Sequence, residues 1–212
     1  MPFGRQNMPS NKEIFTAYYL ENLWGDPMSV SGPSSTVEHT RETRNIISVL
    51  ICSLKIKKIL DAPCGDYNWF RFVHKNSSVS YLGADIVEPL IEKNNIWYGD
   101  YNTKFIKLDI LEDVLPKADL LICRECLQHL PMKDCFKFFE NFKKSEIKYL
   151  LITSWDSEKN EDTVVGGFRR LDLLKKPFDF EAPLGSFKEW SWPGQSEKRL
   201  ILWERKKMFK KI

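Results

Sequence analysis

One stretch, KILDAPCGDYNW from Lys58 to Trp69, constrains the fold more than any other part of the chain. An apolar strand pattern ends there at Asp61 and runs into a turn of small residues that contains Gly65. Glycine allows a backbone to approach a bound molecule closely, and open α/β sheets bind ligands beyond the carboxyl ends of their strands. The stretch therefore predicts a doubly wound α/β protein with a ligand at this turn.

The rest of the chain alternates between strand and helix patterns. Helices are predicted at residues 11–24 with Asn11 as cap, 36–54 with Thr36 as cap, 68–75, 88–95 and 131–144. Strands are predicted at residues 57–61, 79–86, 105–109, 119–123 and 149–154, with a terminal hairpin of 187–192 and 200–204 that turns at Pro193 and Gly194. This alternation favours a parallel sheet with right-handed crossovers.

Length and charge exclude several classes of protein. The 212 residues, 42% of them hydrophobic, suit one globular unit. The net charge of +3 is close to balance, and the basic run at residues 205–211 is more typical of a solvated tail than of a phosphate contact. Five cysteines fit a reducing compartment. Without a secretory pattern or an apolar run of roughly 20 residues, we expect a soluble, cytoplasmic protein with no membrane insertion.

Acids end three successive predicted strands. Asp85 follows Asp61 by 24 residues, and Asp109 follows Asp85 by another 24. An acid about 20 residues after the first turn binds ribose hydroxyls in dinucleotide folds, because a carboxylate accepts both hydroxyl protons. The three acids are therefore expected to line one edge of the same crevice.

With these residues in place, the chain resembles the class I S-adenosylmethionine-dependent methyltransferases from about residue 36 to residue 204. The resemblance implies a Rossmann-like, doubly wound, mostly parallel seven-stranded sheet with an antiparallel last strand, and S-adenosylmethionine as cofactor. In that family the first turn holds the methionine portion, the acid ending strand two binds the ribose, and residues after strand three contact the adenine. The matching positions are Asp61, Cys64, Gly65 and Trp69, then Asp85 and Ile86, then Asp109 and Ile110.

The cofactor turn departs from the family in its glycines. Pro63, Gly65 and Tyr67 stand where three glycines are usual, so only the central glycine is kept. Because proline has no N–H, the turn is expected to make its contacts from Cys64, Gly65 and neighbouring amides. The order of residues from Asp61 to Trp69 looks like that of a group of small bacterial methyltransferases.

Two other enzyme classes and a metal site are disfavoured. Asp-Ala-Pro-Cys also occurs in RNA cytosine-5 methyltransferases, but there it follows strand four, so Cys64 belongs to the cofactor turn and is not a nucleophile. The strand-four motif of amino-group DNA methyltransferases is replaced by Cys123, Arg124, Glu125 and Cys126. The two cysteines lack the second ligand pair of a structural zinc site, so no metal is expected.

The acceptor is expected to meet the loop after strand four. His129 suits a general base that takes a proton from an acceptor hydroxyl, although a helix-cap or packing role is equally compatible with the sequence. Glu125 is the alternative base, and Arg124 can bind cofactor or an anionic acceptor. Position in the fold adds Ser31 and Gly32 for the methionine carboxylate, Trp24 or Trp69 against the sulfonium unless they serve core packing, and Trp155, Arg169 and Arg170 for the acceptor.

These observations predict a metal-independent methyltransferase that acts on an oxygen of a small molecule, such as a surface-glycan or metabolite precursor. Residues 1–35 are expected to form an N-terminal helix and a substrate or cofactor loop, and residues 36–212 the methyltransferase domain, in one globular unit. Two alternatives stay open: an RNA or protein methyltransferase, against which the balanced charge argues, and a non-catalytic module that binds S-adenosylmethionine. The protein is expected to be a monomer or a homodimer.

Overall fold

One seven-stranded sheet runs through residues 9–209, the part of the chain that the computed structural model describes. The strands are β1 (Lys58–Asp61), β2 (Ser80–Asp85), β3 (Thr103–Lys107), β4 (Leu120–Cys123), β5 (Tyr149–Trp155), β6 (Gly185–Glu189) and β7 (Lys198–Glu204). Most of the N-terminal segment interpreted as lacking a secretory pattern, and the last two lysines of the basic run, lie outside the described residues.

The strand order is β3-β2-β1-β4-β5-β7-β6. Strands β1 to β5 pair in parallel, whereas β7 is antiparallel to both β5 and β6. This arrangement confirms the predicted sheet, including the terminal hairpin. The strand order runs outward in one direction from β1 to β3 and in the other direction from β4 to β5, so it reverses between the neighbouring strands β1 and β4. Open α/β sheets form a crevice for ligands at this position.

Helices cover both faces of the sheet. They are α1 (Asn11–Leu20), α2 (Arg41–Ser53), α3 (Glu88–Tyr98), α4 (Met132–Lys144) and the short α5 (Arg205–Met208). Strands β4 and β5 are buried along their whole length, as expected for strands with apolar packing on both sides. Helix α4 packs Phe138 and Phe142 on one face of the sheet, and α2 packs Ile47 and Leu50 on the other.

The first two helices begin at other residues than the sequence predicts. Helix α1 is capped by Ser10 rather than Asn11, because Ser10 and Glu13 form a reciprocal capping box, and the helix ends at Leu20 rather than at residue 24. Thr36 caps no α-helix. It follows a 3-10 turn at residues 33–35, and α2 begins only at Arg41.

The prediction of a helix at residues 68–75 is wrong. Only a 3-10 turn, Phe70–Phe72, forms there, and Val73 is already extended. The His74 amide, which a helix would pair with the Phe70 carbonyl, donates instead to the Ser48 hydroxyl of α2 at 3.1 Å, so the turn is not continued into a helix. Strand β3 also begins and ends earlier than predicted, so Asp109 lies two residues beyond its end.

No helix within residues 9–209 has both the length and the apolar character needed to cross a membrane.

Candidate active site

A cavity of about 470 Å³ opens where β1, β2 and β4 end. It brings together nearly all of the residues that the sequence predicts for the site. These are Ser31, Gly32, Asp61, Cys64, Gly65, Trp69, Asp85, Ile86, Asp109, Ile110, Arg124, Glu125, His129 and Trp155. Two predicted acceptor residues, Arg169 and Arg170, do not line the cavity.

The turn after β1 requires glycine at its centre. Gly65 has φ of 57°, and a Cβ atom there would lie 2.3 Å from the Oγ of Ser31. The Gly65 amide donates to Asp85 Oδ2 at 3.2 Å, and its carbonyl accepts from the Asn94 side chain at 2.8 Å. The Cys64 amide donates to the Ala84 carbonyl at 2.8 Å, so it is committed to the sheet and is not the ligand contact that the sequence predicts.

Two buried carboxyl groups stand at the ends of β1 and β2. Burial raises the pKa of Asp61 to about 7, although Tyr81 donates a hydrogen bond to it at 2.7 Å. Burial likewise raises the pKa of Asp85 to about 6, opposed by the amides of Val87 and Gly65. Each Asp85 oxygen accepts one backbone bond and keeps further acceptor capacity, which suits a pair of neighbouring hydroxyls on a ligand.

A clasp formed by Asp66 and residues 29–31 holds the N-terminal loop on this turn. The Asp66 carboxylate accepts from the Ser29 hydroxyl at 2.8 Å and from the Val30 amide at 3.1 Å. In return, the Asp66 amide donates to the Ser31 hydroxyl at 2.9 Å. The segment of residues 29–35 therefore becomes one wall of the cavity, with Ser31 and Gly32 beside Gly65.

The end of β4 carries a buried ion-pair network that the sequence does not reveal. Arg124 pairs with Glu189, and Lys198 pairs with Glu125 and lies 3.7 Å from Glu189. Arg124, Glu189 and Lys198 are almost fully buried, and the Thr43 hydroxyl donates to Glu189 at 2.5 Å. Two cations thus balance two anions beneath the cavity.

The network fixes the state of Glu125. Burial by itself would raise the pKa of this carboxyl, but Lys198 and then Arg124 pull it below its ordinary value. Glu125 also accepts a hydrogen bond from the Gln128 side chain. As an ionised carboxylate held by these partners, it is poorly suited to take up a proton at neutral pH.

His129 sits against the cavity in one defined tautomer. Its Nδ1 lies 2.7 Å from the Gly167 carbonyl, which can only accept, so Nδ1 carries the hydrogen and Nε2 is the acceptor nitrogen. Burial lowers the pKa of His129 below its ordinary value, which keeps the ring neutral at physiological pH. The site therefore holds a neutral imidazole that can accept a proton.

An aromatic wall made of Trp24, His129, Phe168 and Trp155 lines the cavity, and Tyr18, outside the lining, packs against Trp24. Ring centroids are 4.5 Å apart between Tyr18 and Trp24 and between Trp24 and His129. They are 5.8 Å apart between His129 and Phe168, and 5.9 Å between Phe168 and Trp155. The Tyr18 hydroxyl donates to the Gly166 carbonyl at 3.0 Å, which ties α1 to the loop that carries Phe168.

Two arginines predicted to bind an anionic acceptor take other positions. Arg169 is buried, and its guanidinium donates to the carbonyls of Leu127 and Gln128 at 3.2 Å each. Arg170 is half-buried and does not line the cavity, and its guanidinium carbon lies 5.7 Å from the Trp155 ring centroid. Arg169 thus holds the loop after β4 instead of a ligand.

The rings of the two tryptophans considered for a sulfonium contact already contact other side chains. The Arg124 guanidinium carbon lies 5.3 Å from the centroid of the buried Trp69 ring. Trp24 packs between Tyr18 and His129. Both residues still line the cavity, so each keeps part of its surface on the ligand side.

Sequence comparison gives no match, either to a protein-family model or to a curated protein. Solved structures do match in fold. A Leishmania major S-adenosylmethionine-dependent methyltransferase aligns with a TM-score of 0.62 at 16% identity, over 92% of this chain and 87% of that one. The Burkholderia thailandensis 1,6-didemethyltoxoflavin N1-methyltransferase, with its acceptor and S-adenosylhomocysteine bound, gives 0.61 at 15% identity, over 90% and 85%.

The Synechocystis magnesium protoporphyrin IX methyltransferase, solved with S-adenosylmethionine, aligns with a TM-score of 0.60 at 14% identity. The alignment covers 94% of this chain and 100% of that one. These three proteins share the sheet and the surrounding helices with the chain over most of their lengths. The chain therefore has the Rossmann-like fold found in class I S-adenosylmethionine-dependent methyltransferases.

Proposed function

We propose that this protein is an S-adenosylmethionine-dependent methyltransferase that acts, without a metal ion, on a hydroxyl oxygen of a small molecule. The observation that carries the proposal is Asp85, a buried carboxylate at the end of β2 that borders an open cavity beside the glycine turn. Structures of the same fold have S-adenosylmethionine or S-adenosylhomocysteine bound. The narrower likeness to small bacterial methyltransferases remains a prediction.

The residues at the β1 and β2 end of the cavity fit the cofactor. Asp85 would accept the ribose hydroxyls, and the absence of a side chain at Gly65 leaves the turn open to the methionine portion beside Ser31. Asp109 and Ile110 would border the adenine. When bound, the cofactor supplies a methyl group on a sulfonium, and carboxylates along the wall favour such a cation.

His129 is the residue we assign to proton removal. Its Nε2 would accept the acceptor's hydroxyl proton, while the Gly167 carbonyl holds the ring by Nδ1. Glu125, the other candidate base, is held as a carboxylate by Lys198 and would instead keep the loop after β4 in place. Alignment of acceptor and cofactor by the cavity walls would supply most of the remaining acceleration.

Residues 9–35, the described part of the N-terminal segment, belong to this proposal as the segment that closes the site. Asn11, Phe15 and Tyr19 of α1 line the cavity together with Trp24. The described part of this segment is tied to the core by Tyr18 and by the Asp66 clasp. A single globular unit with an N-terminal wall is the organisation that these contacts support.

Calorimetry with S-adenosylhomocysteine and NAD tests the cofactor assignment. We expect the wild type to bind S-adenosylhomocysteine and not NAD, and Asp85→Asn to bind it about 100-fold more weakly, because two charge-assisted hydrogen bonds are lost. Asp156→Asn, an exposed acid outside the cavity, is the control and should bind as the wild type does. Failure of the wild type to bind S-adenosylhomocysteine, or preference for NAD, would refute the proposal.

A further inference from the structure

The cavity has two chemically different ends. Acids and the glycine turn border the cavity where β1 to β3 end, whereas the aromatic wall borders it beside the loop after β4, and Trp192, from the loop between β6 and β7, lines it as well. Phe168 is 53% exposed and Trp192 46% exposed although both border the cavity. Large apolar side chains left open to water at the rim of a cavity mark a surface that a ligand covers.

The charge at the aromatic end does not suit an anion. Within residues 9–209, Arg124 is the only lysine or arginine that lines the cavity, and it is paired with Glu189. The acids that line the cavity are Asp61, Asp85, Asp109 and Glu125. At the aromatic end the lining acid is Glu125, which is already paired with Lys198, so a phosphate or carboxylate on the acceptor would meet no unpaired cation there.

The cavity lining also offers hydrogen-bonding groups, among them Tyr19, Gln195 and the Trp155 Nε1–H, which is buried without a partner, but several others are already engaged. Glu125 is held by Lys198 and Gln128, His129 by Gly167, and the Asn11 amide contacts Asp134 at 3.4 Å. A sugar can stack on an aromatic ring, but each of its hydroxyls also needs a partner when it is buried. A flat ring with one or two polar groups has far fewer hydrogen-bonding groups that would be left without a partner.

From this combination we infer that the acceptor is an uncharged planar aromatic or heteroaromatic compound that lies on the aromatic wall with its hydroxyl toward His129. The inference rests on the proposed function and narrows its substrate class, excluding anionic metabolites and free sugars. Offset or edge-to-face contact with Phe168 and Trp192 supplies the recognition. Neither residue takes part in the core, so both can be removed without unfolding the protein.

Binding of three probes to the protein saturated with S-adenosylhomocysteine tests the inference. The probes are 2-naphthol, the same ring with an added charge (6-hydroxynaphthalene-2-sulfonate) and methyl glucoside. We expect 2-naphthol to bind at least tenfold more tightly than the sulfonate and the glucoside. Phe168→Ala and Trp192→Ala are each expected to weaken 2-naphthol binding about tenfold, in line with the loss of one aromatic contact.

Matched variants control for a general loss of aromatic surface. Phe72 is 51% exposed and Trp97 66% exposed, and both lie outside the cavity, so Phe72→Ala and Trp97→Ala should leave 2-naphthol binding unchanged. Equal or tighter binding of the sulfonate or the glucoside would overturn the inference, as would absent 2-naphthol binding or an unchanged affinity in Phe168→Ala and Trp192→Ala. If S-adenosylhomocysteine itself fails to bind, the proposed function fails instead.

Discussion

Replacing Lys198 with methionine is the most direct test of the buried network beneath the cavity. Wild-type Lys198 and Arg124 balance Glu125 and Glu189, so Lys198→Met leaves one net negative charge in the interior. Methionine keeps most of the apolar stem of lysine, so little packing is lost. The change therefore isolates the loss of the ammonium group.

The expected destabilisation follows from the geometry of the pair. At 3.7 Å between Lys198 Nζ and Glu189 Oε2, an effective dielectric constant of about 20 gives an attraction of about 4.5 kcal/mol. Desolvation of the lysine offsets part of this attraction in the native protein. Removing one partner from a buried pair typically costs about 3–5 kcal/mol, which corresponds to a fall in Tm of about 6–20 °C for a chain of this size.

Urea and thermal unfolding of a double-mutant cycle measure the effect. The variant Lys198→Met with Glu125→Gln restores charge balance, so it should recover about 2 kcal/mol or more relative to Lys198→Met alone. Lys188→Met is the control, because Lys188 lies on the same hairpin, is exposed and pairs with Glu197 at 3.1 Å on the surface. A Lys198→Met protein within 1 kcal/mol of the wild type, or no recovery in the double variant, would refute this account of the network.

Three further changes have distinct readouts. Asp61→Asn should be more stable than the wild type above pH 7, by up to about 4 kcal/mol. Because the pKa of Asp61 is raised in the folded protein, its protonated form stabilises the fold. That contribution is lost as the pH rises toward about 7, and an asparagine keeps it. Urea unfolding at pH 5 and pH 8 checks it, and a parallel pH dependence in both proteins would contradict it. S-adenosylhomocysteine affinity should fall about tenfold per unit below pH 6, where Asp85 becomes protonated, and Asp85→Asn should lose that dependence in the same titration. His129→Gln should lower kcat about 100-fold for an identified acceptor and leave S-adenosylhomocysteine affinity unchanged, whereas a purely structural role would alter both.

The strand-end chemistry was predictable because it is local. Ile59, Leu60 and Asp61 are consecutive in the chain, and the alternation of apolar strands with helices determines which strand ends lie together. The same local reasoning failed at residues 68–75. There the alternation of strands and helices predicts a helix, whereas the segment forms only a 3-10 turn in which Phe70 packs against Tyr67 and Tyr81.

The ion-pair network could not be predicted because it depends on the register between β6 and β7. Glu189 and Lys198 face each other across the hairpin, and only this pairing directs a charge from each strand toward Arg124. In the sequence, both residues belong to a run of mixed charge that is typical of an exposed hairpin. For Arg169, the sequence predicts a contact with the acceptor, whereas the structure pairs its guanidinium with backbone carbonyls. No pattern of side chains in the sequence encodes such partners.

The Asp66 clasp has a consequence for how the two ligands affect each other. It joins the glycine turn to the loop of residues 29–35, and Gly32 in turn packs under Trp24, since a Cβ atom at Gly32 would lie 3.2 Å from the tryptophan Cβ. A molecule resting on Gly65 and another resting on Trp24 therefore act on one shared loop. Thermodynamic linkage makes such an effect reciprocal: the factor by which the first tightens binding of the second equals the factor in the other direction.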